Sequence, residues 1–180
     1  MKLPPLILFT LLTAGLLGLT GCRSPRLTPI KTVPRVDLPS FMGDWFVIAS
    51  IPTFLERDAH NAVESYRLDP DGTIATTFTF RKGSPDGPER RYTPRGFVLD
   101  RESNAVWGMR FDWPVKADFR IVHLAPEGDV TVIGREKRDY VWIMARRPQI
   151  PEAQYQALLR MLEEQGYDTT RIRKVPQRWS

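Results

Sequence analysis

Side chains that could do covalent or acid–base chemistry are few in this sequence and lie far apart. There is one cysteine, Cys22, and there are two histidines, His60 and His123. No Ser/His/Asp set stands in a recognisable context. No glycine loop is suited to cradling phosphate, and no His/Cys/Asp/Glu spacing suits a metal. The expectation is a protein that is not an enzyme and needs no metal or cofactor. Glu64 and Tyr66 stand two residues apart in a strand-like stretch and so share a face. They could point inward together with Ala62. An inward Arg110 or Arg120 would suit a carboxylate or phosphate group, whereas the plainer reading leaves both outward and solvated.

Cys22 has the most telling context. Lys2 supplies a short positive start, and residues 6–19 form an apolar run without charge. That run is shorter than the ~20 residues needed to span a bilayer, so it reads as a signal sequence. It ends in Leu19-Thr20-Gly21-Cys22, which resembles the lipobox of bacterial lipoproteins. The resemblance implies removal of residues 1–21, a diacylglyceryl group on the Cys22 thiol and acylation of the new amine. An exported chain with one cysteine cannot form an internal disulfide, and lipidation accounts for the thiol. Two or three acyl chains exceed what stable membrane anchoring requires. Arg23 follows, where Asp would signal inner-membrane retention. The implied location is therefore the periplasmic face of the outer membrane. Residues 22–40, rich in Pro, Arg, Ser and Thr and without periodicity, read as the lipidated start and a tether.

At 180 residues the length fits one further domain, spanning 41–180. Hydrophobic residues make up 42% and charged residues 26%, the mix of an ordinary globular protein. The net charge is +5, and losing Lys2 with the leader leaves about +4. Basic residues form no helical stripe, so nucleic acid is not expected as a partner.

From Phe41 onward, short β-branched and aromatic segments alternate with turn clusters, which reads as all-β with meander connections. Eight strands are expected, at about 44–51, 61–69, 73–82, 90–99, 104–111, 117–124, 129–136 and 139–146. Pro94 would interrupt ladder bonding in the fourth. The period then changes. Tyr155, Leu158, Leu159 and Leu162 fall on one helical face within 152–166, with Pro151 before and Gly166 after. Such a helix packs its stripe outside a barrel. The basic tail that follows suggests a short edge strand near 170–175. Eight antiparallel strands closed on themselves leave room for one small ligand.

Three segments resemble the lipocalin family, and within it the bacterial outer-membrane lipoproteins related to apolipoprotein D. They are Gly43-Asp44-Trp45, the run from Arg138 through Asp139-Tyr140-Val141-Trp142 to Arg146-Arg147-Pro148, and Phe111-Asp112-Trp113-Pro114 with the aromatic strand after it. Order and spacing agree over residues 41–166. The resemblance implies an up-and-down eight-stranded barrel with one C-terminal helix packed outside. It also implies that Trp45 closes the narrow end with Arg146 lying across its indole. Phe46 stands where Tyr is usual, and Val47 where the bacterial branch often has an acid. Some members bind haem through a histidine. His123 could in principle do so, although a satisfied or exposed histidine is the plainer reading. Members of this branch can pair, so a homodimer stays open.

Alternation sketches the wall. Thr76, Phe78 and Phe80 share a face, as do Ala105, Trp107, Met109 and Phe111, and as do Tyr140, Trp142 and Met144. The expected cavity residues are Glu64, Tyr66, Phe78, Phe80, Trp107, Met109, Phe111, Tyr140 and Trp142. Aromatic and Met side chains around a concave site suit a fatty acid, a lysophospholipid or a similar apolar ligand. Two other readings remain open at this stage: a solid barrel that docks on another envelope component, and a lipid-modifying enzyme.

Overall fold

The computed structural model describes residues 28–111 and 116–179. Cys22, the expected leader and residues 112–115 lie outside the described residues.

The wall is built from β1 (Gly43–Ile51), β2 (Ala59–Leu68), β3 (Thr73–Lys82), β4 (Glu89–Tyr92), β5 (Arg95–Val98), β6 (Val106–Arg110), β7 (Lys116–Leu124), β8 (Val130–Gly134) and β9 (Val141–Ala145). Neighbours are antiparallel, and β9 pairs back onto β1 through Phe46–Ala145 to Ile51–Val141, closing the barrel. The fourth wall position is split. β4 pairs with the far half of β3, and β5 pairs with its near half and with β6. Pro94 sits at the break. It has no N–H to donate, and its carbonyl accepts from Thr76 N at 3.1 Å. The molecule is thus an eight-stranded antiparallel barrel with one interrupted strand. β10 (Arg173–Lys174) adds to β1 at Ala49 and Ser50.

The two faces of β9 define two cores. Met144 and the partly buried Trp142 point into the barrel, with Trp45, Phe78 and Trp107. Val141, Ile143 and Ala145 point outward, under α2 (Glu152–Glu164), against Tyr155, Leu158 and Leu162. Leu162 is fully buried, and burying such a side chain stabilises by roughly 1.5–3 kcal/mol. A thirteen-residue helix is marginal alone, and this seam holds it. Gly166 follows at φ +88°, a conformation suited to ending a helix.

The expected tether is shorter than its predicted end at 40. From Ile30 to Phe41 the chain is a strap packed along the barrel. Ile30, Val36 and Phe41 are buried. Val33 N donates to Ile121 O at 3.0 Å, and Val36 N donates to Ser103 O at 2.7 Å. The strap ends in a single helical turn, α1 (Leu38–Phe41), capped by the Asp37 carboxylate on Ser40 N. Ile30, Val33 and Val36 recur every third residue, which matches neither the strand nor the helix period.

Candidate functional site

The barrel has unlike ends. At the end where β1 begins, inward side chains meet and exclude space. Phe41, Trp45, Tyr66, Trp107 and Phe119 form one aromatic cluster. The Phe41 and Trp45 rings lie 5.0 Å apart, and Trp107 stacks on Phe119 at 4.8 Å. Both indoles are satisfied: Trp45 Nε1 donates to Phe41 O at 2.9 Å, and Trp107 Nε1 to Asn104 O at 2.7 Å. Arg146 lies 3.7 Å from the Trp45 ring centroid. Its guanidinium also donates to the carbonyls of Ser40, Phe41 and Asp44 at 2.9–3.0 Å. Gly43 has φ +91°, and a β-carbon there would come within 3.4 Å of Arg146 Nη1. The Gly-x-Trp spacing is therefore a requirement of this closure.

The opposite end is hollow. A cavity of about 290 Å³ opens between the 52–58 loop, the strand pair β3/β4, the end of β6 and the 135–140 loop. Phe78, Tyr92, Met109, Ala117, Phe119, Ile133 and Trp142 make its wall. Phe54, Leu55, Phe111 and Tyr140 stand at its mouth. The hollow arises where inward positions are small or turn away, as at Thr76, Pro94 and Ala117. A wider depression of about 690 Å³ is an open, polar groove on the outer surface beside Asn61, Arg81, Asp86 and Glu89. It lacks the enclosure of a ligand site.

Glu56, Glu64, Thr76 and Arg135 are among the polar side chains that line this apolar space. The Glu64 carboxyl is buried and accepts from the Tyr66 hydroxyl. Burial pushes its pKa up to about 7; the Tyr66 bond opposes this, and the nearby Glu56 adds to it. Glu56 comes from the 52–58 loop and accepts from Trp142 Nε1 at 2.8 Å and from Thr53 Oγ1 at 2.7 Å. Burial raises its pKa too. Tyr66 is raised well above the phenol range, first by burial and then by Glu64. Thr76 Oγ1 and Arg135 Nε are buried without a hydrogen-bond partner. The Arg135 guanidinium stacks over the Tyr140 ring at 5.2 Å, with Nη1 3.4 Å from Asp139. A buried donor with no acceptor costs free energy.

Of the expected cavity residues, Glu64, Phe78, Met109, Phe111, Tyr140 and Trp142 converge on this space. Tyr66, Trp107 and Phe80 do not. Tyr66 and Trp107 point inward, but lower down, within the aromatic plug. Phe80 packs behind Phe78 and Tyr92, 5.3 and 6.2 Å between ring centroids. Strand alternation gives the face and not the depth, hence the misplacement. Arg110 lies over Phe97, and Arg120 pairs with Asp118 and Glu136. His123 is half-buried outside the cavity, and burial lowers its pKa. Among the described residues no group of three or more His, Cys, Asp or Glu side chains could hold a metal ion. Sequence reasoning missed Arg135, Tyr92 and Glu56. Arg135 shares the face of Ile133 on the expected seventh strand, so alternation could have found it. Glu56 sits in a loop and carried no such signal.

A closed antiparallel barrel with a plugged base, a hollow mouth and one outer helix defines a class: the single-ligand β-barrel binding proteins. A family model described as a lipocalin-like domain matches residues 36–177, and the chain belongs to that family, whose members are typically non-enzymatic binders of small hydrophobic ligands. Temperature-induced lipocalin-1 of Arabidopsis thaliana is 28% identical over 160 residues, covering 82% of this chain and 83% of its own. Outer membrane lipoprotein Blc of Escherichia coli K12 is 26% identical over 182 residues, covering 98% of each chain. Insecticyanin of Manduca sexta superposes with a TM-score of 0.66 at 14% identity, covering 85% of this chain and 86% of that one, a likeness of fold alone.

Proposed function

We propose that this protein is a membrane-anchored lipid carrier that holds one fatty acid, lysophospholipid or similar single-chain amphiphile in the mouth half of its barrel. The observation that carries the reading is the enclosed apolar cavity. Its wall is aromatic and aliphatic, and its volume of about 290 Å³ is near the lower limit of ligand pockets, ~300–1,000 Å³. That size suits one acyl chain better than two. The chain would lie against Phe78, Met109, Ile133 and Trp142. Its head group would sit at the mouth beside the Arg135 side chain. A carboxylate or phosphate there would accept a charge-assisted bond from the guanidinium.

The anchor follows from the lipobox-like Leu19-Thr20-Gly21-Cys22. Acylation of Cys22 would hold the domain at the periplasmic face of the outer membrane. Storage, transport or scavenging of lipid in the envelope would follow. The near full-length similarity to a protein named as an outer membrane lipoprotein supports this reading.

The test is a titration of delipidated protein with fluorescent fatty acids and lysophospholipids. Trp142 lines the cavity, so its emission should be quenched as ligand enters. Failure of every such ligand to quench, together with native extracts that release no lipid, would overturn the carrier reading.

A further inference from the structure

The strap that packs on the barrel also sets which end of the molecule its N-terminal side leaves from. Arg138 anchors the start of that strap. It is 6% exposed and donates to three carbonyls: Thr28 at 2.6 Å, Glu136 at 2.6 Å and Gln165 at 3.0 Å. Ile30 N reaches Glu136 Oε2 and Lys31 N reaches Gln165 Oε1. On the barrel side, Glu136 and Arg138 belong to the 135–140 loop and Gln165 caps the end of α2, beside the cavity mouth. From there the strap runs past Ile121 and Ser103 to the plugged end. The described chain therefore begins at the open end of the barrel.

Cys22 lies only six residues before Thr28. Six residues, however arranged, span at most about 20 Å. The nine-residue β1, tilted as barrel strands are, gives the wall a height of roughly 20–25 Å. An anchor at Cys22 would thus be held within about 20 Å of the mouth. To reach the plugged end the segment would have to double back along the barrel, fully extended.

The mouth itself has the surface of a membrane-facing rim. Phe54 is 74% exposed and Phe111 52%, with Leu55 beside Phe54. The same three side chains line the cavity, so an unbroken apolar path leads from wall to rim. Arg57, Lys82, Arg90 and Lys137, on loops and strand ends at the same end of the barrel, are exposed and make no ion pair among the described residues. The corresponding acids are Asp58 and Asp86. The balance is positive, which suits an anionic lipid surface.

We propose that the barrel docks mouth-first on the bilayer, through Phe54, Leu55 and Phe111, so that ligand passes between membrane and cavity without crossing water. This rests on the acylated Cys22 and the carrier role proposed above. The test is amide hydrogen exchange on the full lipidated chain in vesicles of phosphatidylethanolamine and phosphatidylglycerol, against the Cys22→Ser chain in solution. Exchange at 53–58 and 136–139 should slow at least threefold on vesicles, while the plugged-end turns at 70–72 and 126–128 stay unchanged. Protection at the plugged end, or equally at both ends, overturns the proposal. So does mouth protection that appears without vesicles and grows with protein concentration, since a second copy would then be the occupant. Mass spectrometry of the Cys22 peptide runs beside it, and an unmodified cysteine also overturns the docking. A fatty-acid titration of the Cys22→Ser chain separates the two ideas. Ligand binding without mouth protection leaves the carrier and removes the docking; mouth protection without ligand binding does the reverse.

Discussion

The two ends of this barrel share the same wall positions and the same in-and-out alternation, yet one is solid and the other hollow. At the plugged end, aromatic side chains fill the space, and the indole N–H groups of Trp45 and Trp107 and the Arg146 guanidinium find backbone carbonyls. At the mouth, Ala117 and the break at Pro94 leave a gap between large apolar walls, and Thr76 and Arg135 keep unpartnered atoms. The comparison separates holding the fold from holding a ligand. Packing density and satisfied hydrogen bonds lie at one end. Space, mismatched polarity and perturbed carboxyls lie at the other.

The largest expected effect comes from breaking the plug. Trp45→Ala should cost about 3–5 kcal/mol of stability, read as a lowered urea midpoint. A loss below about 1 kcal/mol would mean the two ends do not divide their roles as described. The next effect belongs to Glu64. Its folded pKa of about 7 is above its unfolded value, so the native state holds the extra proton between them. Stability should therefore fall as pH rises from about 4.5 to about 7, by up to about 3 kcal/mol, and level off above. Glu64→Gln should remove most of that slope in denaturation curves taken across this range.

Arg146→Lys sharpens the comparison further. Lysine keeps the charge but cannot serve the three carbonyls and the indole face together. A loss of about 2 kcal/mol is expected, with ligand affinity unaltered in the same fluorescence titration. The counterpart at the mouth is Ala117→Trp, which places a ring in the cavity. Affinity should drop at least tenfold, about 1.4 kcal/mol, while the thermal midpoint stays close to that of the parent.

Much of the fold was legible because two periods carried it. Period two in β3 put Thr76, Phe78 and Phe80 on the inner face, and the helical stripe of Tyr155, Leu158 and Leu162 marked α2. Pro94 marked its own break. The strap was not legible, since Ile30, Val33 and Val36 follow neither period. The candidate site was legible by face only. Phe78 and Trp142 stand at the cavity, whereas Trp107 and Tyr66, equally inward, lie in the plug.

By itself the sequence determined the alternating strands and the outer helix, because each depends on a local period, while the Trp45–Arg146 closure was implied by the family resemblance. Only the tertiary structure decided how deep each inward residue sits and where the hollow begins. It alone brought Glu56 from a loop onto Trp142, and Arg135 to the rim. Depth depends on how side chains from strands distant in sequence fill one shared volume, and no spacing along a single strand encodes that.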